Sequence, residues 1–159
     1  MELHNNQYEI GGIPAMQIVE QYGQPIFVYD ASKIVSQYHK LKNAFGDCKV
    51  QIKYACKALN NINILKLLKN EGSGLDVVSI NEARLGLLAG FEPSQILFTP
   101  NCVAFSEIQE AVELGLKINI DNISILEQFG HMYQDTVPCC IRINPHIVAG
   151  GNAHIQTGH

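Results

Sequence analysis

The sequence is poor in positive charge: its 159 residues include two arginines, and the net charge is −4 at pH 7. It also contains no tryptophan. Nucleic-acid-binding proteins present a basic patch or stripe to the phosphates, and the sequence has no such cluster. No apolar run approaches the length of a membrane span, and the first residues lack the basic and apolar regions of a signal peptide. These absences predict a protein that binds neither nucleic acid nor a membrane.

Cysteines are few, and their positions suggest neither disulfides nor a metal site. The sequence has five of them: Cys48, Cys56, Cys102, Cys139 and Cys140. Their number is odd and no pair has the spacing of metal ligands, so free thiols in a reducing cytoplasm are predicted. Three histidines near the C-terminus, His146, His154 and His159, lie in a glycine-rich stretch where their spacing defines no ligand geometry. We therefore predict a cytoplasmic protein without a metal.

What the sequence does contain is a regular alternation of short apolar strands and amphipathic helices. Candidate strands start near five residues: Lys49, Gly74, Gln95, Lys117 and Pro138. A predicted helix follows each of the first four, and this alternation indicates parallel strands joined by right-handed crossovers. With 47% hydrophobic and 16% charged residues, the chain has the composition of a well-packed α/β protein.

Two architectures satisfy this alternation, an open doubly wound sheet and a (β/α)8 barrel. A doubly wound nucleotide-binding sheet usually has a glycine-rich turn after its first strand, whereas the turn at residues 56–61 contains no glycine. A barrel fits better, but five strands cannot close one. We therefore expect residues 31–159 to be the N-terminal portion of a longer barrel, preceded by a segment of short strands and a helix over residues 1–30. A complete small domain with a disordered tail is the alternative.

Several local features are predicted from turn and capping residues. Ile26–Tyr29 reads as a brief strand, and four glycines are predicted to end helices: Gly72, Gly90, Gly115 and Gly130. Ser79 with Glu82, and Ser106 with Gln109, have the spacing of capping boxes at helix starts.

Lys57 is the first candidate for chemistry. It follows the first strand of the regular alternation, where the active sites of parallel barrels are built. Its neighbours Tyr54, Ala55, Cys56 and Ala58 are apolar or weakly polar, so partial desolvation would favour a free amine that can attack a carbonyl. The alternative is a solvated lysine at the start of a helix.

Three further charged residues are candidate site residues. Asp76 lies within an apolar strand, where it either faces a cation of the site or hydrogen-bonds to a loop backbone. Arg142 also lies in an apolar strand and shares a face with Cys140; its guanidinium would bind an oxygen of a cofactor or carboxylate beside Lys57, or form a structural ion pair with an aspartate. Glu82 is either a functional carboxylate or the capping partner of its helix.

The motifs taken together resemble a known family. They are Phe-Val-Tyr-Asp at 27–30, Tyr-Ala-Cys-Lys-Ala at 54–58, Gly-Leu-Asp-Val-Val-Ser-x-x-Glu at 74–82, Ala-Gly-Phe-Glu-Pro at 89–93, Phe-Thr-Pro-Asn at 98–101, Asn-Ile-Asp-Asn at 119–122 and Arg-Ile-Asn-Pro-His at 142–146. In this order they resemble the fold-type III pyridoxal-phosphate decarboxylases, which act on diaminopimelate, ornithine or arginine and share their barrel with alanine racemase. The resemblance runs from about residue 25 to the end.

The resemblance implies a parallel (β/α)8 barrel of the alanine racemase-like type, of which about the first five βα units are present. It implies that Lys57 binds pyridoxal 5'-phosphate covalently, and that Asp76, Glu82 and Arg142 occupy polar positions near the cofactor. The sequence departs from the family at Leu59, where these enzymes usually have asparagine.

The activity implied is decarboxylation of meso-diaminopimelate to L-lysine by a full-length homodimer, with an amino acid as its small-molecule partner. The 159 residues alone are expected to be inactive, since other site residues of the family lie later in its sequences. Two alternatives stay open. One is a related ornithine, arginine or carboxynorspermidine-type decarboxylase or an amino-acid racemase, and the other is a non-catalytic barrel.

Overall fold

The structure is a computed structural model that describes residues 1–4 and 6–145. The three histidines considered above as metal ligands lie outside these residues. Within the described ranges no group of three His, Cys, Asp or Glu side chains could hold a metal ion. In the same ranges no helix has both the length and the apolar character needed to cross a bilayer.

The first structural unit is a small antiparallel sheet followed by two helices. Its elements are β1 (Glu2–His4), β2 (Gln7–Ile10), β3 (Ile13–Pro14), α1 (Ala15–Tyr22) and α2 (Ala31–Ala44). Gly11 and Gly12 connect β2 to β3 with φ angles of 59° and 79°, the left-handed pair that a two-residue hairpin turn requires. Asp30 caps α2, because its carboxylate accepts a hydrogen bond from the Lys33 backbone N–H at 3.1 Å.

The strand predicted at Ile26–Tyr29 is wrong for the described part of the chain. These residues have no strand assignment, and Phe27 is 88% exposed. A β-strand requires a partner edge, and no described strand pairs with this segment. Its apolar, β-branched composition is therefore compatible with a strand but does not form one here.

The main sheet has five strands, and a helix follows each of the first four. The strands are β4 (Lys53–Ala55), β5 (Gly74–Val77), β6 (Ile96–Phe98), β7 (Lys117–Ile120) and β8 (Cys139–Ile141). The helices are α3 (Ile62–Asn70), α4 (Ile80–Leu88), α5 (Phe105–Glu113) and α6 (Ile123–Tyr133).

All four strand pairs of this sheet are parallel, and the strands lie side by side in sequence order. A doubly wound sheet reverses its strand order at a switch point, so the uninterrupted order is the winding of a barrel. The predicted α/β barrel fold with five parallel strands is confirmed. The first strand begins at Lys53 rather than near Lys49, and the last strand begins at Cys139.

The two faces of this sheet differ in polarity. The core between sheet and helices is built from alternate strand residues, including Leu75, Val77, Ile96, Phe98 and Ile118, all 0% or 1% exposed. The residues between them point to the opposite face, since side chains alternate along a strand. That second face carries Lys53, Asp76, Asn119 and Cys140, and the candidate site lies at its carboxyl-terminal edge.

Helix termini follow the sequence predictions in part. Gly72, Gly90 and Gly115 have φ angles of 87°, 95° and 73°, which confirms them as helix ends. The prediction for Gly130 is wrong: α6 continues to Tyr133, because Phe129 and Tyr133 pack with ring centroids 4.8 Å apart. The capping box at Ser106 is also wrong, since α5 starts at Phe105 without a side-chain cap.

Gly86 of α4 allows this helix to approach the sheet, and alanine there is expected to destabilise the protein. An added Cβ would lie 2.5 Å from Leu75 Cδ2 and 3.3 Å from Ile96 Cδ1. Overpacking of this kind costs about 1–3 kcal/mol, which exceeds the ~1 kcal/mol that alanine gains over glycine in a helix. Denaturant unfolding of Gly86→Ala should therefore show a lower free energy of unfolding.

Gly130→Ala is the matched control, because Gly130 also lies inside a helix but a Cβ there meets nothing within 4 Å. Only the higher helix propensity of alanine over glycine then affects stability, so the free energy of unfolding of this variant should rise by up to about 1 kcal/mol. Equal effects of the two substitutions would contradict the close packing of α4 against β5.

Candidate active site

Lys57 lies in a single 3-10 turn, Cys56–Ala58, that directly follows β4. Two contacts fix the turn. Cys56 is fully buried in the core between sheet and helices, and the Tyr54 hydroxyl donates to the Leu59 carbonyl at 3.2 Å. The Lys57 side chain itself is exposed. The partial desolvation expected from its neighbours is therefore not found among the described residues, because Cys56 points into the core instead of covering the lysine.

Glu82 lies close to this turn, at the start of α4. Burial raises the pKa of the Cys56 thiol to about 11, and the negative charge of Glu82 adds to that rise. The Glu82 carboxylate accepts a hydrogen bond from the Val78 backbone N–H at 2.9 Å, while the Ser79 hydroxyl accepts from the Glu82 N–H at 3.2 Å. Ser79 therefore caps α4 as predicted. The second half of the capping box is not formed, because the Glu82 carboxylate accepts from the N–H of Val78 instead of the N–H of Ser79.

Asp76 is half-buried on the polar face of β5, in register with Ala55 of β4. Its Oδ1 accepts a hydrogen bond from the Thr99 hydroxyl at 2.6 Å. The hydrogen-bond partner is therefore a neutral side chain that directly follows the next strand, and not the loop backbone considered from sequence, whereas a role for Asp76 toward a cation of the site stays a prediction. Sequence reasoning missed Thr99: it occurs in the motif at residues 98–101, but no local pattern reports a bond between residues 23 positions apart.

A second lysine lies on the same face, nearer the amino-terminal end of β4. Lys53 Nζ donates to the Gln95 carbonyl at 2.7 Å. Burial lowers the pKa of Lys53, and so does the positive charge of Lys117, while the Asp76 carboxylate opposes the change. Sequence reasoning also missed this residue; its only signal was a charged side chain two positions before Ala55 in an apolar strand.

Arg142 directly follows β8, and its backbone N–H donates to the Ile120 carbonyl of β7 at 2.8 Å. Its exposed side chain lines a cavity of about 440 Å³ together with Asn101 and Asp121. Among the described residues it forms no ion pair, so the structural Arg–Asp pair is absent there. Arg142 does not lie beside Lys57 as expected either, because Lys57 follows β4 and Arg142 follows β8. These are the two outermost strands, on opposite sides of the sheet.

The residues at this edge of the sheet have the chemistry that pyridoxal phosphate requires. An exposed primary amine, Lys57, is accessible to an aldehyde. Carboxylates from Asp76 and Glu82 lie on the neighbouring strand and helix, and the Arg142 guanidinium offers several donors to an anionic group. The amine, the two acceptor carboxylates and the guanidinium together fit the cofactor.

Relatives of known activity are similar over most of this chain. The diaminopimelate decarboxylase of Methanothermobacter thermautotrophicus is 38% identical over 151 residues, which cover 94% of this chain and 35% of the relative. The crystal structure of diaminopimelate decarboxylase from Helicobacter pylori complexed with L-lysine has a TM-score of 0.82 at 33% identity, over 90% of this chain and 37% of that one.

A third similar protein is a decarboxylase named for other amino acids. The lysine/ornithine decarboxylase from Vibrio vulnificus complexed with putrescine has a TM-score of 0.73 at 29% identity, over 80% of this chain and 35% of that one. In each of these comparisons the chain spans little more than a third of the relative's length.

A family-wide comparison gives the same result as the individual relatives. Residues 31–159 match the family described as "Pyridoxal-dependent decarboxylase, pyridoxal binding domain". The match covers most of the chain, and pyridoxal phosphate is the cofactor that this domain binds. The division of the chain at residue 30 stays a prediction. The chain belongs to the pyridoxal-dependent decarboxylase family.

Proposed function

We propose that the full-length protein decarboxylates meso-diaminopimelate to L-lysine with pyridoxal phosphate. The observation that carries this proposal is the exposed amine of Lys57 at the carboxyl end of the first barrel strand, in a chain 38% identical to a diaminopimelate decarboxylase. The bound lysine in the Helicobacter pylori structure supports an amino-acid ligand of this class.

Lys57 is the residue proposed to hold the cofactor. When bound, pyridoxal phosphate supplies an electron sink for the bond that breaks at the substrate's α-carbon. The 3-10 turn gives the lysine backbone a fixed position, since Cys56 anchors it in the core and Tyr54 closes it through the Leu59 carbonyl. The exposed amine can therefore be presented to the cofactor from a rigid base, which is the arrangement that positioning catalysis favours.

Asp76, Glu82 and Arg142 are proposed as cofactor-binding residues. The Asp76 carboxylate is fixed by Thr99, and the Glu82 carboxylate is fixed by the Val78 N–H, so both negative charges have defined places near β4. The Arg142 side chain, at the far edge of the sheet, would bind an anionic group of cofactor or substrate. Its position fits the opposite wall of a closed barrel better than the immediate surroundings of Lys57.

The full-length protein is further proposed to be a cytoplasmic homodimer that takes a small amino acid and no nucleic acid or membrane as partner. All five cysteines are free thiols, which supports a reducing compartment. The net charge of −4 with two arginines gives no basic surface for phosphates.

The test of this proposal is a substrate panel on the complete enzyme loaded with pyridoxal phosphate. Carbon dioxide release and the amine or amino-acid product are measured with meso-diaminopimelate, lysine, ornithine and arginine. Release from meso-diaminopimelate with formation of L-lysine is the expected result. Preference for lysine or ornithine would favour the second candidate, which rests on the structural similarity to the Vibrio vulnificus enzyme.

The two remaining candidates give distinct outcomes in the same panel. Interconversion of amino-acid enantiomers without carbon dioxide release would indicate a racemase. Failure of the complete protein to bind pyridoxal phosphate would indicate a non-catalytic barrel.

A further inference from the structure

The Thr99 hydroxyl makes a short bond to the Asp76 carboxylate that the sheet itself does not need. The backbone N–H of Thr99 already donates to the Val77 carbonyl at 2.8 Å, so β6 is held to β5 by the main chain at this point. The side chain adds a second bond, from Oγ1 to Asp76 Oδ1 at 2.6 Å. A bond of this length to an ionised oxygen is among the stronger hydrogen bonds in proteins.

The register of the strands places this bond just below the carboxyl-terminal edge of the sheet. Asp76 pairs with Ala55 on one side and with Leu97 on the other. Lys57 and Thr99 each follow their paired residue by two positions, so both lie one step nearer the edge than Asp76. At this edge Asp76 therefore has the turn that carries Lys57 after one neighbouring strand, and the hydroxyl of Thr99 after the other.

The bond occupies one carboxylate oxygen and leaves the other available. Within the described residues no hydrogen bond reaches Asp76 Oδ2. A half-buried aspartate without such a bond rotates about its terminal torsion, which has broad energy wells. Lys53, a cation of this face on the amino-terminal side, donates to the Gln95 carbonyl, and among the described residues it makes no hydrogen bond to the carboxylate.

We propose that Thr99 is a positioning residue, whose hydroxyl orients the Asp76 carboxylate toward the cofactor-binding edge beside Lys57. This inference rests on the proposed function, because it assumes that pyridoxal phosphate binds at Lys57. Thr99 does not touch the cofactor in this assignment; it acts through Asp76 alone.

The test is a double-mutant cycle on the complete enzyme, with the dissociation constant for pyridoxal phosphate as the measured quantity. Thr99→Val removes the hydroxyl at nearly constant shape and is expected to weaken binding about tenfold, because an unoriented Asp76 would lose an interaction with the cofactor worth about one charge-assisted hydrogen bond. In an Asp76→Ala background the same substitution is expected to change binding less than about twofold, because the hydroxyl then has no Asp76 carboxylate to orient. Thr99→Ser keeps the hydroxyl and should restore wild-type binding.

The outcomes separate this proposal from the one on which it rests. An equal effect of Thr99→Val in both backgrounds, or failure of Thr99→Ser to restore binding, would overturn the positioning role while leaving the proposed function intact. Wild-type enzyme that does not bind pyridoxal phosphate would overturn both. Thermal melting of each variant, measured alongside, distinguishes loss of binding from loss of folding, and the folded serine variant keeps the comparison decisive.

Discussion

Replacing Lys57 with alanine is expected to lower the decarboxylation rate of the complete enzyme by about a thousandfold or more, a loss typical of removing a group that takes direct part in the chemistry. The reason is that Lys57 is the exposed amine at the mouth of β4, and the neighbouring side chains of the turn carry none. Carbon dioxide release from meso-diaminopimelate is the measurement, made at saturating pyridoxal phosphate so that weaker cofactor binding does not mask the effect.

Lys66→Ala is the matched control for this substitution. Lys66 is an exposed lysine on α3, away from the strand ends, so its loss should leave the rate within about twofold of wild type, as expected for an ordinary surface change.

Borohydride reduction of the loaded wild-type enzyme, followed by peptide mass mapping, should place the pyridoxyl group on Lys57. Labelling of Lys53, the lysine within β4, would move the assignment to that residue.

The second large effect concerns the core beneath the site. Leu75→Ala is expected to lower the free energy of unfolding by about 2–5 kcal/mol, the range for truncating a fully buried leucine. Leu75 of β5 is 0% exposed, and its side chain packs against α4 at Gly86. Since Asp76 is the next residue of the same strand, the cavity left behind would also loosen the carboxylate. Denaturant-induced unfolding of the complete enzyme measures the loss.

Leu88→Ala provides the comparison, because it is the same substitution at a residue 71% exposed at the end of α4. It should change the free energy of unfolding by less than about 0.5 kcal/mol, the range for surface substitutions. If both leucine variants lost similar stability, then the helix-facing core described for β5 would be wrong.

Periodicity and spacing were sufficient to predict the main sheet. Apolar segments such as Leu75–Val78 recur at near-constant intervals, and this long-range regularity required no knowledge of individual contacts. The parallel direction of the strands followed from the alternation with helices, whereas their sequential order did not, because a doubly wound sheet shows the same alternation. Local predictions failed where a distant partner decides the outcome, as at Ile26–Tyr29, which lacks a described partner strand, and at Gly130, which packing keeps inside α6.

The sequence nominates the site residues Lys57, Asp76, Glu82 and Arg142, which stay a prediction, but it does not report the hydrogen bonds that they make. An aspartate inside an apolar strand is unusual enough to be noticed in the sequence, and Asp76 lies on the polar face as strand alternation requires. Its partner Thr99 is an ordinary residue in sequence, and only the register of β5 with β6 brings the hydroxyl to it. Likewise, the positions of Lys57 and Arg142 at opposite edges of the sheet follow from strand order, which no motif reports.

The contrast between the two faces of β5 makes this part of the gene far less tolerant of deletion than of substitution. Removing a single codon between Gly74 and Val77 would shift the following side chains by one place, and a strand's period of two then exchanges its faces. If the deleted codon is that of Leu75, Asp76 would enter the apolar layer against α4, and Val77 would take its place opposite Thr99. Natural variation in length should therefore be confined to the loops, such as the segment between Phe98 and α5.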